Sequence, residues 1–96
     1  MLGVLALAGG CSRTERVKVV SHFGQPVHIR LGLGRSFTDV TLPARGATFL
    51  KGRHYIGGGG VRVVVRSVQG RILKQGIVNV PGDSAFRRIA LVEVSP

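Results

Sequence analysis

Cysteine, aromatics, acidic residues and long apolar runs are what this 96-residue chain has least of. One thiol, Cys11, can form neither an internal disulfide framework nor a Cys-based zinc site. Glu15, Asp39, Asp83 and Glu93 are the only four acids, too few and too scattered for a paired-carboxylate hydrolase. No apolar run reaches the roughly 18 residues that a membrane-spanning helix needs. Tryptophan is absent, and the aromatic set is Tyr55 with Phe23, Phe37, Phe49 and Phe86. Against these shortages stand 14 Lys and Arg, giving a formal net charge of +10. Apolar residues make up 44% of the chain, too many for a disordered basic tail. The length allows one domain at most.

The first eleven residues read MLGVLALAGGC. Residues 2–8 form an uncharged run of branched and small side chains, followed by Gly9, Gly10 and the lone cysteine. A secretory signal needs a short apolar stretch and then small residues, because the peptidase cleft excludes bulk. Leu7, Ala8, Gly9, Gly10 and Cys11 resemble the lipobox of bacterial lipoproteins, with one extra small residue. The resemblance implies that Cys11 carries a thioether-linked diacylglycerol, that the chain is cut before it, and that the new amine is acylated. The basic start of such a signal is expected upstream of Met1, since no Lys or Arg precedes Arg13. Ser12, a non-acidic neighbour, resembles the outer-membrane sorting signal. The expected organisation is a signal at 1–10, a lipidated tether at 11–15 and one domain at 16–96. The other reading of the leader is a buried strand ending at a glycine corner.

Beyond Arg13 no helical period persists, and Gly or Pro interrupts about every ten residues. Short runs of Val, Ile, Leu, Thr and Phe between turn signals predict strands at 16–22, 27–33, 36–42, 47–51, 61–66, 71–80 and 88–94. The second is the clearest: Val27, Ile29, Leu31 and Leu33 alternate with His28, Arg30 and Gly32. Residues 54–56 form a run too short to assign. Gly76 is expected to bulge the sixth strand, and the apolar run 89–92 suggests a central strand. The fold class is all-β: a single small antiparallel β-sandwich of about seven strands, immunoglobulin-like or transthyretin-like. A partly open five- or six-stranded barrel is the alternative. The turn chemistry of Val40-Thr41-Leu42-Pro43-Ala44, Ala47, Tyr55-Ile56-Gly57 and Val61-Arg62 resembles the YcfL-like envelope lipoproteins. That resemblance implies a sandwich and no activity.

Gly57 to Gly60 lacks the Gly-Lys-Ser/Thr of a phosphate loop, and Gly32-Leu33-Gly34-Arg35-Ser36 lacks the third glycine and helix of a dinucleotide site. Both read as flexible loops. His22, His28 and His54 have no metal-ligand spacing, so no metal and no cofactor is expected. Ser84 follows Asp83 in a turn without a nucleophile elbow, and an enzyme is not expected. The remaining signal is charge. Lys18, His28, Arg30, Arg62, Arg66, Arg71 and Lys74 fall on or near polar strand faces, so one sheet is expected to present a basic surface. Arg13 and Arg16 sit beside the tether. The residues expected to meet an anionic surface are therefore Arg13, Arg16, Lys18, Arg30, Arg62 and Arg66. The function implied is a lipid-anchored, non-enzymatic binding or assembly module of the bacterial envelope, in the outer membrane and facing the periplasm. Its partners would be the membrane through the anchor, and an anionic lipid or an acidic envelope protein. A cytoplasmic nucleic-acid-binding β-domain is the alternative. It loses ground because the aromatics are not interleaved with the basic stripe along the chain.

Overall fold

Val27, Ile29, Leu31 and Leu33 are all buried, while His28 and Arg30 between them are exposed. This alternation follows from the pleat, which sends successive side chains to opposite faces. The same pattern fixes β1 (Arg13–Ser21), where Glu15, Val17, Val19 and Ser21 point inward. The computed structural model describes residues 13–56, 60–80 and 89–96, with side chains from Thr14 onward. The signal at 1–10, the lipid site Cys11, Gly57 to Gly59, the Asp83-Ser84 turn and Phe86 lie outside the described residues.

After β1 come β2 (Val27–Leu33), β3 (Ser36–Leu42), β4 (Ala47–Ile56), β5 (Val61–Ser67), β6 (Ile72–Val78) and β7 (Ile89–Val94). They form a four-stranded sheet in the order β3-β2-β5-β6 and a three-stranded sheet in the order β4-β1-β7. One cluster fills the space between the sheets. Val17, Val19, Leu50, Ala90, Val92 and Val94 come from the smaller sheet, and Ile29, Leu31, Leu42, Val61, Val63 and Val65 from the larger. Each fully buried Val, Leu or Ile contributes about 1.5–3 kcal/mol relative to exposure. The expected all-β sandwich of seven strands is therefore what the chain forms.

Five details differ from the expectation. First, β1 starts at Arg13, so residues assigned to the tether already pair with β4: Arg13 stands opposite Ile56 and Thr14 opposite Tyr55. Second, β4 is one ten-residue strand rather than a short strand and an unassigned run. A bulge joins its halves: Leu50, Lys51 and Gly52 stand across from Val17 alone, with Gly52 at φ 72°. Third, β7 is an edge strand. Among the described residues it pairs only with β1, and in parallel. Its apolar outer residue Leu91 is correspondingly exposed.

Fourth, the register break in β6 falls at Leu73, between the Val65–Lys74 and Arg66–Ile72 pairs, while Gly76 stays in register with Val63. The break lets Leu73 and Val78 both pack on the core while Ile72 and Ile77 face out. Fifth, Gly34-Arg35 is a tight hairpin rather than a flexible loop. Leu33 pairs directly with Ser36, leaving a two-residue turn with Gly34 at φ 64° and Arg35 outside the left-handed region. A glycine in that first position is what a type II′ turn requires.

Both sheets end together at two poles. At one, Ser21 donates to the Gly46 carbonyl at 2.8 Å, His22 to that of Val94 at 2.8 Å and Arg45 to that of Phe23 at 2.9 Å. The buried Phe23 ring closes the core there. The other pole holds the start of β1, the end of β4 and the β2–β3 hairpin. A Cβ on Gly34 would lie 3.6 Å from that of Tyr55, so the hairpin tip rests against β4.

Candidate anion-binding surface

Pairing carries the basic residues to two outer faces instead of one. On the larger sheet, Gly32 and His28 of β2 align with Arg62 and Arg66 of β5, with Arg30 between them opposite Val64. On the smaller sheet, Arg16 of β1 aligns with Arg53 of β4 and Lys18 with Phe49. Of the residues expected to meet an anionic surface, Arg30, Arg62 and Arg66 share one face, and Arg16 and Lys18 share the opposite one. Arg13 opens β1 at the pole that also holds the β2–β3 hairpin. The expected single basic sheet is thus divided, because β1 belongs to the three-stranded sheet and β2 and β5 to the four-stranded one. Arg71 follows the turn after β5 at the far pole, where its amide donates to Ser67 Oγ at 3.2 Å, and Lys74 is exposed on β6.

The aromatics are interleaved with these cations after all. The Arg16 guanidinium lies 5.0 Å and the Lys18 ammonium 5.6 Å from the centre of the Phe49 ring. Arg30 lies 5.6 Å from the Phe37 ring. All three distances are those of cation–π contact. The Phe49 contacts join β1 to β4, more than thirty residues on, whereas the Arg30–Phe37 contact is set by the register of the β2–β3 hairpin; neither is encoded by spacing alone. Phe37 also covers Gly32, where an added Cβ would stand 3.5 Å from its ring. The missing side chain leaves the place that the ring fills.

Asp39 and Glu93, among the described residues, each stand in ion-pair reach of a basic side chain. Arg30 Nε donates to Asp39 Oδ1 at 3.0 Å, and Nη2 reaches Oδ2 at 3.4 Å. This hydrogen bond, with the charge of Arg30 and of Arg66 adding to it, holds the Asp39 carboxyl below the usual carboxylate range. His22 Nε2 lies 3.9 Å from Glu93 Oε2, close to the far pole. Glu15 is buried. Among the described residues, therefore, no exposed carboxylate stands at the pole where β1 begins, while Arg16, Arg35, Arg53 and Arg62 do.

Between the hairpin tip and the end of β4 the surface sinks into a cleft of about 570 Å³ lined by Leu33, Gly34, Arg35, Ser36, Arg53, His54 and Tyr55. His54 Nε2 donates to the Lys51 carbonyl at 2.9 Å across the β4 bulge, which fixes the ring and leaves Nδ1 without that bond. None of the cleft residues was singled out as an anion contact from the sequence. The signal available was the tight Gly34-Arg35 turn, which places an arginine at a hairpin tip. No cluster of metal-ligating side chains occurs among the described residues. Compared with protein-family models, with curated proteins and with solved structures, the chain matches none.

Proposed function

We propose that this chain is a lipid-anchored protein of the bacterial envelope, a non-enzymatic binding or assembly module held by Cys11 with its tether-side pole on an anionic bilayer. The observation that carries the reading is the position of the chain's entry. β1 opens at Arg13, two residues after Cys11, and the same pole bears Arg16, Arg35, Arg53, Arg62 and the exposed ring of Tyr55. An acyl chain on Cys11 contributes about 0.8 kcal/mol per buried methylene. Each arginine within reach of anionic headgroups adds about 1 kcal/mol. Tyrosine suits this depth because its ring is apolar and its hydroxyl is wet. The outer membrane, with the domain facing the periplasm, is the address that Ser12 favours.

Replacing Cys11 with serine tests the anchor. The proposal expects the variant to leave the membrane fraction and to lack any lipid mass. Unchanged fractionation together with an unmodified wild-type thiol would remove the reading.

One observation favours a second reading, nucleic-acid binding: Phe49 stands between Arg16 and Lys18 on an open sheet face. Aromatic rings among cations on a sheet are how single strands are gripped. It ranks second because both cations already lie over the ring that a base would have to reach.

A further inference from the structure

We infer that the cleft between the β2–β3 hairpin and the end of β4 is a binding site for a phosphate monoester. The inference does not depend on the lipid anchor, since the cleft is built wholly from residues 33–36 and 53–55. Arg35 and Arg53 both line it, and neither has an ion-pair partner among the described residues. A guanidinium offers a planar fork of donors that matches two oxygens of a phosphate. Ser36, His54 and Tyr55 add a hydroxyl, an imidazole and a phenol to the same walls. The hydroxyl and the phenol can donate to a tetrahedral anion, His54 can do so from Nδ1 only as the imidazolium because its Nε2–H serves the Lys51 carbonyl, and no carboxylate lines the cleft to repel it.

Geometry holds these groups in place. The two-residue turn fixes Arg35 at the hairpin tip, directly beside Ser36. Cross-strand pairing with Arg16 and Thr14 fixes Arg53 and Tyr55. The bond to the Lys51 carbonyl holds His54. The volume of about 570 Å³ lies in the range that small organic ligands occupy, well beyond what a bare phosphate fills. Leu33 and the Tyr55 ring supply an apolar wall for the rest of such a ligand. The same chemistry is offered by a soluble organic phosphate and by the headgroup of phosphatidic acid.

The test is a titration of the full chain with inorganic phosphate, followed by NMR at the amides of Arg35, Ser36, His54 and Tyr55. In parallel, binding to vesicles carrying phosphatidic acid, a monoester, is compared with binding to vesicles carrying phosphatidylglycerol, a diester, at equal surface charge. Saturable shifts confined to the cleft, weakened about ten-fold or more in Arg53→Gln and untouched in Arg71→Gln, support the site with free phosphate sufficient. A preference for phosphatidic acid that Arg53→Gln abolishes supports it with a headgroup as the source. Arg53→Lys, which keeps the charge and loses the fork, is expected to fall between. Shifts spread evenly over all arginines, or equal binding to the two lipids with no saturable phosphate binding, overturn the inference. The second result leaves the proposed membrane pole standing, because charge alone explains it.

Discussion

Removing two arginines from the tether-side pole separates a placed charge from a merely large one. Arg16 and Arg62 stand on opposite outer faces near that pole, and neither lines the cleft. Arg71 and Lys74 are equally exposed but belong to the turn after β5 and to β6, toward the far pole. Arg16→Gln with Arg62→Gln, and Arg71→Gln with Lys74→Gln, each remove two cations from the +10 chain. If net charge alone governs adsorption, the two doubles lose affinity equally. If the pole faces the membrane, the first loses about 1 kcal/mol per arginine, so about 2 kcal/mol or roughly 30-fold in partition coefficient. The second loses much less, because Arg71 lies in the turn at the opposite pole, Lys74 stands three residues along the sheet from Arg62, and the attraction falls off over a Debye length of about 10 Å at 0.1 M salt. The assay is sedimentation with phosphatidylglycerol-containing vesicles, using the full chain with Cys11→Ser throughout so that no anchor masks the difference. Circular dichroism checks that each variant keeps its strands. Equal losses, or a larger loss from the far-pole double, refute the orientation.

Other consequences are more local. Leu31→Ala empties a fully buried position between the sheets and is expected to cost about 2–5 kcal/mol in urea unfolding, a large share of the stability of so short a chain. Gly34→Val forces a β-branched residue to φ 64° against Tyr55 and is expected to cost about 1–2 kcal/mol, with amide shifts concentrated in the hairpin. The Arg30–Asp39 pair has a defined pH limb. Because the folded carboxyl titrates below its unfolded value, its contribution is present above the unfolded pKa and is lost as pH falls through the folded one. The pair is exposed, so the carboxyl resonance of Asp39 is expected to titrate below the ordinary range while global stability changes little, and Asn at this position abolishes the limb. Phe49→Ala tests the nucleic-acid reading on a single-stranded DNA column. Unchanged elution is expected, whereas a loss of about 1–3 kcal/mol would mean that the ring stacks on bases.

The strands were legible where one period ran without interruption. Val27 to Leu33 and Val61 to Ser67 alternate cleanly, and their burial follows the alternation residue by residue. Legibility failed where the backbone departs from the pleat. Gly52 hid the continuity of β4, since a left-handed residue inside a strand reads as a break. The slip at Leu73 sends Ile72 and Ile77 outward, so the face of β6 cannot be counted from either end. The edge position of β7 was hidden because its pairing with β1 joins the two ends of the domain, and no local pattern encodes a partner that distant.

The candidate site divides in the same way. Lys18, Arg30 and Arg62 were visible as polar strand positions. Their separation onto two faces, the stacking of Arg16 on Phe49 and the meeting of Arg35 with Arg53 depend on sheet order, which residue types alone do not set. The aromatics also misled: the sequence does not interleave them with the basic stripe, yet two of the five rings sit against cations.

The central claim is that Cys11 joins this basic pole to lipid, and the most direct measurement is the intact mass of the protein recovered from the membranes of a bacterium that makes it. A polypeptide beginning at Cys11 and heavier by a diacylglycerol and a further acyl group is the predicted species. A chain that retains residues 1–10 with a free Cys11 thiol, recovered from the soluble fraction, would contradict it.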